Sequence, residues 1–188
     1  MNIKIFAAVI GLTLSSAATP QNAAIVMPDF KPLESKAREC VDISLGPWLL
    51  HSMGLFLDDK DPEDAAVKKL LSGIQSIQVR SFQFDTDSAY SRADVDAVRR
   101  QLNAPGWTSM MNVHDRDRDS DVEMYMLIQN EQTRGFALIA SEPREFTIIN
   151  IVGSIKMSDL PKLQKQLHLG KLMTRDDVVS QWPAAAQL

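Results

Sequence analysis

The sequence predicts an α+β fold in which helices pack on one face of a mainly antiparallel sheet. The second half of the chain carries four β-rich segments at hairpin spacing, at 107–114, 122–129, 135–140 and 145–152. Strands joined by such short connections form antiparallel meanders, and segments of helical periodicity lie before and after them. We therefore expect a C-terminal four-strand meander, extended by earlier strands, within a single domain over 33–170.

The first eighteen residues have the layout of a secretory signal peptide. A lysine, Lys4, precedes an apolar run over 5–14, and small residues end the segment at 16–18. The run is about half as long as a membrane-spanning helix. We expect cleavage after Ala18, a periplasmic or secreted mature chain, and no transmembrane segment in it. No cysteine follows the run, so the sequence lacks a lipid-attachment motif there.

Charge and cysteine content narrow the classes of partner. The formal net charge is −4, and removal of Lys4 makes it −5. This balance argues against nucleic acid, which needs a basic footprint on the protein, and against an anionic membrane surface. Cys40 is the only cysteine, so no internal disulfide can form. The sequence favours a small buried hydrophobe at Cys40 over an intermolecular disulfide or a reactive thiol.

The first half of the mature chain predicts a linker, three helices and a strand. The segment 19–32 holds three prolines and few charges, which is typical of a linker. A short helix is predicted over 33–39, and a half-buried strand over 40–46, where apolar and polar residues alternate. Further helices begin at Pro47 and Pro62, because proline suits the first helical turn. The helix PWLLHSMGLFL is apolar nearly all round and is predicted to be buried. The next helix ends near Gly73 and carries one apolar face, formed by Val67, Leu70, Leu71 and Ile74.

The second half is more regular. A β-rich stretch over 74–84 leads into a turn, and Ser91 with Asp94 forms the capping pair of a helix that ends at Leu102. Pro105-Gly106 breaks that helix, so Trp107 opens the meander. A last helix is predicted from Ser158, and a tail over 171–188 has room for a short helix.

The strand EFTIINIVG, residues 145–153, contains a polar residue on an apolar face. Asn150 alternates with three apolar side chains, and the opposite face is also largely apolar, as in a central strand covered on both sides or one packed against a partner. An unpaired amide there would cost about 1–3 kcal/mol. We therefore predict that Asn150 is buried and bonded to a loop or helix end, as a structural anchor rather than a ligand contact. Gly153 is predicted to end the strand.

Several motifs resemble those of the bacterial family called domain of unknown function 4252. They are the strand–turn–helix around Phe84-Asp85 and Tyr90-Ser91, the break at Ala104-Pro105-Gly106-Trp107, and the strand from Glu142-Pro143 to Gly153. The resemblance spans Leu33 to Leu169 and implies a small exported protein. Many members are lipoproteins, but this chain lacks the lipidated cysteine. The resemblance implies no catalytic residues.

Two acidic runs resemble calcium-binding loops but lack required ligands. In the first, aspartates stand at every second position, yet Ser120 replaces the glycine at the sixth place and Met126 the glutamate at the twelfth. Its aspartates are Asp115, Asp117, Asp119 and Asp121. The second run starts at Asp85 and Asp87 and fails at Ala89 and Tyr90. We predict a solvated hairpin loop and a capped turn, with no metal ligands.

The remaining chemistry does not select a site. The histidines His51, His114 and His168 lie far apart in sequence, and His51 falls in the helix that is predicted to be buried. No Gly-x-Ser-x-Gly, His-Glu-x-x-His or phosphate-binding glycine motif occurs. The sequence therefore assigns no catalytic, cofactor-binding or metal residues and favours a protein that is not an enzyme.

Two classes of function stay open. One is an exported, non-catalytic binding or accessory protein that contacts another protein of the cell envelope, with methionines such as Met110 and Met111 as adaptable apolar contacts. The other is a small-molecule binder or enzyme with a pocket between helices and sheet. A cleft with converging polar groups would favour the second class, and a fully packed layer would favour the first.

Overall fold

The computed structural model describes residues 22–154, and a six-stranded antiparallel sheet forms their centre. The strands are β1 (Glu39–Leu45), β2 (Ile74–Gln83), β3 (Trp107–Asp115), β4 (Ser120–Gln129), β5 (Gln132–Glu142) and β6 (Glu145–Gly153). The helices are α1 (Lys31–Glu34), α2 (Pro47–Gly54), α3 (Pro62–Gly73) and α4 (Arg92–Leu102). The strand order is β1-β2-β6-β5-β4-β3, and every neighbouring pair is antiparallel. The predicted meander from β3 to β6 is confirmed.

Helices cover both faces of the sheet, and not one face as predicted. On β6, Ile149 and Ile151 pack with α2 and α3, whereas Phe146 and Ile148 pack with α1 and α4. Successive side chains of a strand point to opposite faces, so the two clusters lie on opposite sides of the sheet. We call these sides the α2–α3 face and the α4 face. Because β6 is apolar on both sides, each side requires its own cover.

Asn150 is buried and bonded to backbone groups, as predicted. Its side chain is on the α4 face, and the residue is 1% exposed. The Oδ1 atom accepts the N–H of Ile25 at 2.9 Å, and Nδ2 donates to the carbonyls of Ala23 and Phe136, both at 3.1 Å. The amide therefore ties the N-terminal segment of the described chain to the middle of the sheet.

The segment predicted as a linker packs on the sheet over its described residues. Ile25 and Phe30 are buried on the α4 face, and the Phe30 ring lies 5.4 Å from that of Phe82 in an edge-to-face arrangement. Gly135 of β5 permits the close approach, because a Cβ there would lie 2.9 Å from the Cβ of Ala23. From residue 22 to the start of α1 the path is irregular, and the apolar side chains of this stretch hold it against the core.

Gly153 ends β6 in a conformation that favours glycine. Its φ is 143°, and a Cβ at this position would clash with the carbonyl oxygen of Gly73. That same oxygen accepts the N–H of Ser154 at 2.9 Å. The prediction that Gly153 ends the strand is confirmed, and the contact joins the end of β6 to the end of α3.

The helix boundaries follow local signals. The carboxylate of Asp94 accepts the N–H of Ser91 at 2.8 Å, so the capping pair of α4 is confirmed. The helix α1 lies earlier and is shorter than the predicted 33–39, because it ends at Glu34 and the N–H of Arg38 already bonds to the carbonyl of Gln83 at 2.7 Å. Entry into the sheet thus ends the helical path.

Several predicted features lie outside the described residues: the signal peptide, the helix from Ser158, His168 and the tail. Between residues 22 and 154, no helix combines the length and the apolar character needed to cross a membrane.

Candidate functional site

Two residues that were predicted to be buried lie at the surface. Cys40 is exposed because β1 is an edge strand. Partial burial, then the carboxylates of Glu34 and Asp42, raise the pKa of the Cys40 thiol, which lowers its thiolate fraction. His51 is exposed on α2. Among residues 22–154, neither Cys40 nor His51 belongs to a group of three or more His, Cys, Asp and Glu that could hold a metal ion.

The acidic run between β3 and β4 forms a solvated hairpin turn, as predicted. The Oδ1 atom of Asp115 accepts the N–H of Asp117 at 2.9 Å and that of Arg118 at 3.2 Å. Arg118 also pairs with the Asp115 carboxylate at 3.6 Å. In the part of the chain that the structure describes, no group of three or more His, Cys, Asp and Glu residues is placed to hold a metal ion.

A polar cleft of about 370 Å³ opens between the start of α4 and the ends of β3, β4 and β5. Its volume falls within the range of small-molecule sites, about 300–1,000 Å³. The strands contribute His114, Asp121, Ser141 and Glu142, and the turns between strands contribute Asp119 and Pro143. The turn before α4 and the helix itself contribute Ser88, Tyr90, Ser91, Arg92, Val95 and Arg99. We call this feature the α4 cleft.

One wall of the α4 cleft is a row of side chains across three strands. His114 of β3 pairs in register with Asp121 of β4, which pairs with Ser141 of β5. The Nδ1 atom of His114 lies 2.5 Å from Oδ1 of Asp121. A nucleophilic triad needs the imidazole between the hydroxyl and the carboxylate. Here the carboxylate is in the middle, so the row orients His114 without activating Ser141.

Tyr90 closes the inner end of the α4 cleft. Its hydroxyl donates to the carbonyl of Glu142 at 2.5 Å, and its ring stacks on Phe84 and Phe146 at 5.7 and 5.1 Å. Burial, followed by the negative charge of Glu142, raises the pKa of Tyr90 far above its usual range. Tyr90 therefore stays protonated and acts as a structural donor.

In the wall of the α4 cleft, Arg99 is held by two carboxylates. Its Nε donates to both oxygens of Glu123 at 3.0 and 3.1 Å, and its Nη1 lies 2.6 Å from Asp96. Glu123 is 4% exposed and also accepts the hydroxyl of Tyr125 at 2.6 Å. The hydrogen bond to Glu123 raises the pKa of Arg99, and burial together with Glu123 raises the pKa of Tyr125 to about 12. Arg99 thus pairs with two carboxylates, and only Glu123, which is the buried one, is held by both Arg99 and Tyr125.

A second feature is the outer side of α2 and the turn that follows it. Trp48 is 79% exposed, Leu55 71% and Phe56 89%, and Leu49 is also exposed. The prediction that this helix is buried was therefore wrong. The inner side of α2 packs through Leu50 against α3 and β2, and the outer side is left in solvent.

The exposed apolar side chains form two adjacent stripes. Trp48 and Leu55 are seven residues apart, as are Leu49 and Phe56, so each pair lies on one side of the helical path. The path continues past Gly54, because the N–H groups of Leu55 and Phe56 bond to carbonyls of the preceding turn at 3.1 and 3.3 Å. We call these four side chains the α2 surface. The sequence carried a signal of this exposure. A helix that lies on a sheet buries one side, so a helix that is apolar all round keeps apolar side chains on its outer side.

Both features lie within a region that is similar to other proteins. Residues 34–163, more than half of the chain, match the profile of a family described as a domain of unknown function, DUF4252. The chain belongs to the DUF4252 family. The resemblance noted from the sequence is thereby confirmed. The matched DUF4252 region includes every strand of the sheet, whereas Ala23 and Ile25, which Asn150 holds, precede it. Among curated proteins, none matches this chain.

The two features of the DUF4252 domain differ in how far their side chains are already satisfied. In the α4 cleft, His114 bonds to Asp121, Tyr90 to a backbone carbonyl, and Arg99 to Glu123. These side chains are therefore already hydrogen-bonded within the protein. The α2 surface instead presents apolar side chains to water, which is unfavourable unless they are covered. The α2 surface is therefore the stronger candidate for a functional site.

Proposed function

We propose that this DUF4252 protein is an exported, non-catalytic binding or accessory protein of the cell envelope, and that it docks a partner protein through the α2 surface. The observation that carries the proposal is the exposure of Trp48, Leu55 and Phe56 on a folded helix. Contiguous exposed apolar patches mark interaction sites. The leader-like residues 1–18 support export.

The energetics favour a protein partner. Burying each large side chain of the α2 surface would contribute about 1.5–3 kcal/mol, and tryptophan is enriched among the residues that dominate interfaces. Two-turn helical stripes fit a groove or a second helix. The exposed carboxylates Asp58 and Asp61 follow the surface in the chain. They favour basic residues at the rim of the partner and disfavour an anionic bilayer.

Photo-crosslinking in cells of the native host tests this proposal. Benzoylphenylalanine is placed at Trp48 or Phe56, and, as matched controls, at Met110 or Ile128, which are 48% and 44% exposed elsewhere on the domain. We expect one adduct of the same mass from both α2 positions and none from the controls. Wild-type protein without the crosslinker, produced in the same cells, should compete for it, and protein carrying Trp48→Ser with Phe56→Ser should not. The absence of an adduct, or equal adducts from all four positions, would contradict the proposal.

A second candidate function is the binding of a small polar molecule in the α4 cleft. Its volume and its polar lining support this alternative. The two functions predict opposite mutational patterns. Arg92→Gln and Asp121→Asn would abolish a function of the cleft and leave docking through the α2 surface intact, whereas Trp48→Ser would do the reverse.

A further inference from the structure

The outer edge of β1 lacks a strand partner among residues 22–154. This strand stands at the end of the strand order and pairs with β2 alone. The pairing runs without a register shift from Glu39 to Leu45. The opposite edge strand, β3, is interrupted by a bulge between Ser109 and Met111, a device that protects edges from further pairing. Among residues 22–154, the edge of β1 is thus seven residues long and without a bulge, and its charged residues are Glu39 and Asp42.

We propose that β1 pairs antiparallel with β1 of a second copy of this chain, about a two-fold axis at Ile43. A two-fold axis perpendicular to the sheet keeps the faces aligned, so each residue meets one from the same side of the partner strand. With the axis at Ile43, Ile43 meets itself and Val41 meets Leu45 on the α2–α3 face. On the α4 face, Asp42 meets Ser44. The result is one continuous sheet across both copies that presents two α2 surfaces, which goes beyond the function proposed above.

Charge and apolar pattern select this register. An axis at Asp42 would set two carboxylates opposite each other, which is unfavourable, and would place Glu39 against Leu45. With the axis at Ile43, each Asp42 keeps its ion pair with Arg80 of its own chain. Val41, Ile43 and Leu45 are only half-buried in one copy, and the pairing covers them. The second copy thus matches the edge both in hydrogen bonding and in side chains.

Disulfide trapping tests the register. Residues that face each other across antiparallel strands have Cα atoms about 4.5–5.5 Å apart, within reach of a disulfide. Two copies of Cys40 would be about 20 Å apart in this register. We expect a covalent dimer from Cys40→Ser with Ile43→Cys, and none from the wild type or from Cys40→Ser with Val113→Cys on β3. Trapping through Cys40 but not through position 43 would overturn the register. A monomer mass by light scattering at every concentration up to about 0.5 mM, roughly the range of weak association, would overturn the second copy as occupant and leave the edge for a strand of another protein.

A charge pair at Ser44 gives an independent test. Ser44 is exposed, and its hydroxyl lies 3.5 Å from Nη1 of Arg80, so Ser44→Asp places a carboxylate and Ser44→Lys a cation beside that guanidinium. The two dimers are therefore compared at a temperature well below the thermal unfolding midpoint of each variant. Ser44→Asp places two new carboxylates opposite Asp42 of the second copy and should weaken the dimer roughly tenfold. Ser44→Lys should leave the dimer as tight or tighter. Equal dimer dissociation constants for these two variants would overturn the proposal. Trp48→Ser should not change the dimer, so failure here and failure of the docking proposal are separable.

Discussion

Asn150→Ala probes the contact that fixes the N-terminal segment on the sheet. The amide makes three hydrogen bonds, to Ile25, Ala23 and Phe136, at 2.9, 3.1 and 3.1 Å. All of them are to backbone groups, and the amide itself is 1% exposed. Removing the amide leaves the N–H of Ile25 and the carbonyls of Ala23 and Phe136 without this partner. The alanine side chain cannot bond to these groups, and the site is buried away from water.

The expected loss follows from these groups. One buried backbone group without a partner costs about 1–3 kcal/mol. The segment could lift off to satisfy Ile25 and Ala23 with water, but it would then expose Phe30, whose burial contributes about 1.5–3 kcal/mol. Both outcomes cost free energy, so we expect the free energy of unfolding to fall by about 1–3 kcal/mol. With a urea dependence of about 1–3 kcal/mol per molar, the unfolding midpoint should fall by roughly 1 M.

Urea unfolding and amide hydrogen exchange measure this effect. The amide of Ile25 should lose its protection in the variant, since its acceptor is gone. Asn112→Ala is the matched control, because Asn112 is an exposed asparagine on β3, and its midpoint should stay within error of the wild type. An Asn150→Ala protein with an unchanged midpoint and a protected Ile25 amide would refute the anchor role.

Three further predictions concern the rest of the fold. Gly153→Ala should lower the free energy of unfolding by about 2–4 kcal/mol, because the φ of 143° and the Gly73 carbonyl exclude a Cβ. Gly46→Ala, with open space around it, should lower it by less than about 1 kcal/mol, and thermal unfolding measures both effects. Tyrosine ionisation, followed by ultraviolet absorbance, should be small at about pH 11 in the native protein and nearly complete in urea. The folded-state pKa of Tyr125 is raised to about 12 and that of Tyr90 further. The two protonated tyrosines therefore stabilise the native state below about pH 10, and this stabilisation is lost as the pH rises through their folded-state pKa values. Native and urea titrations that coincide would contradict this prediction. Arg99→Met leaves Glu123 buried without its cation and should destabilise the protein by about 3 kcal/mol. Arg144→Met breaks an exposed pair with Asp87 and should leave the free energy of unfolding unchanged. Equal effects would show that the buried pair of Glu123 stabilises the fold no more than an exposed pair does.

Local signals in the sequence predicted the features that depend on nearby residues. The capping pair of Ser91 and Asp94 places the start of α4, and the alternation in β6 assigns Asn150 to an apolar face. Gly153 was predicted as the strand end because a glycine stands where the chain turns toward the cap at Ser158. In each case the chemistry that decides the outcome lies within a few residues or follows from strand periodicity.

Features that depend on what covers a surface were not predictable in the same way. The apolar character of α2 indicates burial, but the sequence does not state that α3 and β2 cover only one side of that helix. Cys40 is exposed because β1 is an edge strand, and strand order is a property of the whole sheet. The sequence did carry one signal: β6 is apolar on both sides, which requires a cover on each face, from helices or from a partner. The α4 cleft likewise joins residues from separate hairpins and α4, and no spacing in the sequence marks it.

The most direct test of the docking proposal is the affinity of the partner that crosslinks to position 48, measured with purified proteins. The double variant Trp48→Ser with Phe56→Ser should bind at least about 100-fold more weakly than the wild type, because two interface anchors contribute about 2 kcal/mol or more each. The cleft variant Arg92→Gln with Asp121→Asn should bind as the wild type does. Unchanged binding by the first variant, or a comparable loss in the second, would contradict the assignment of function to the α2 surface.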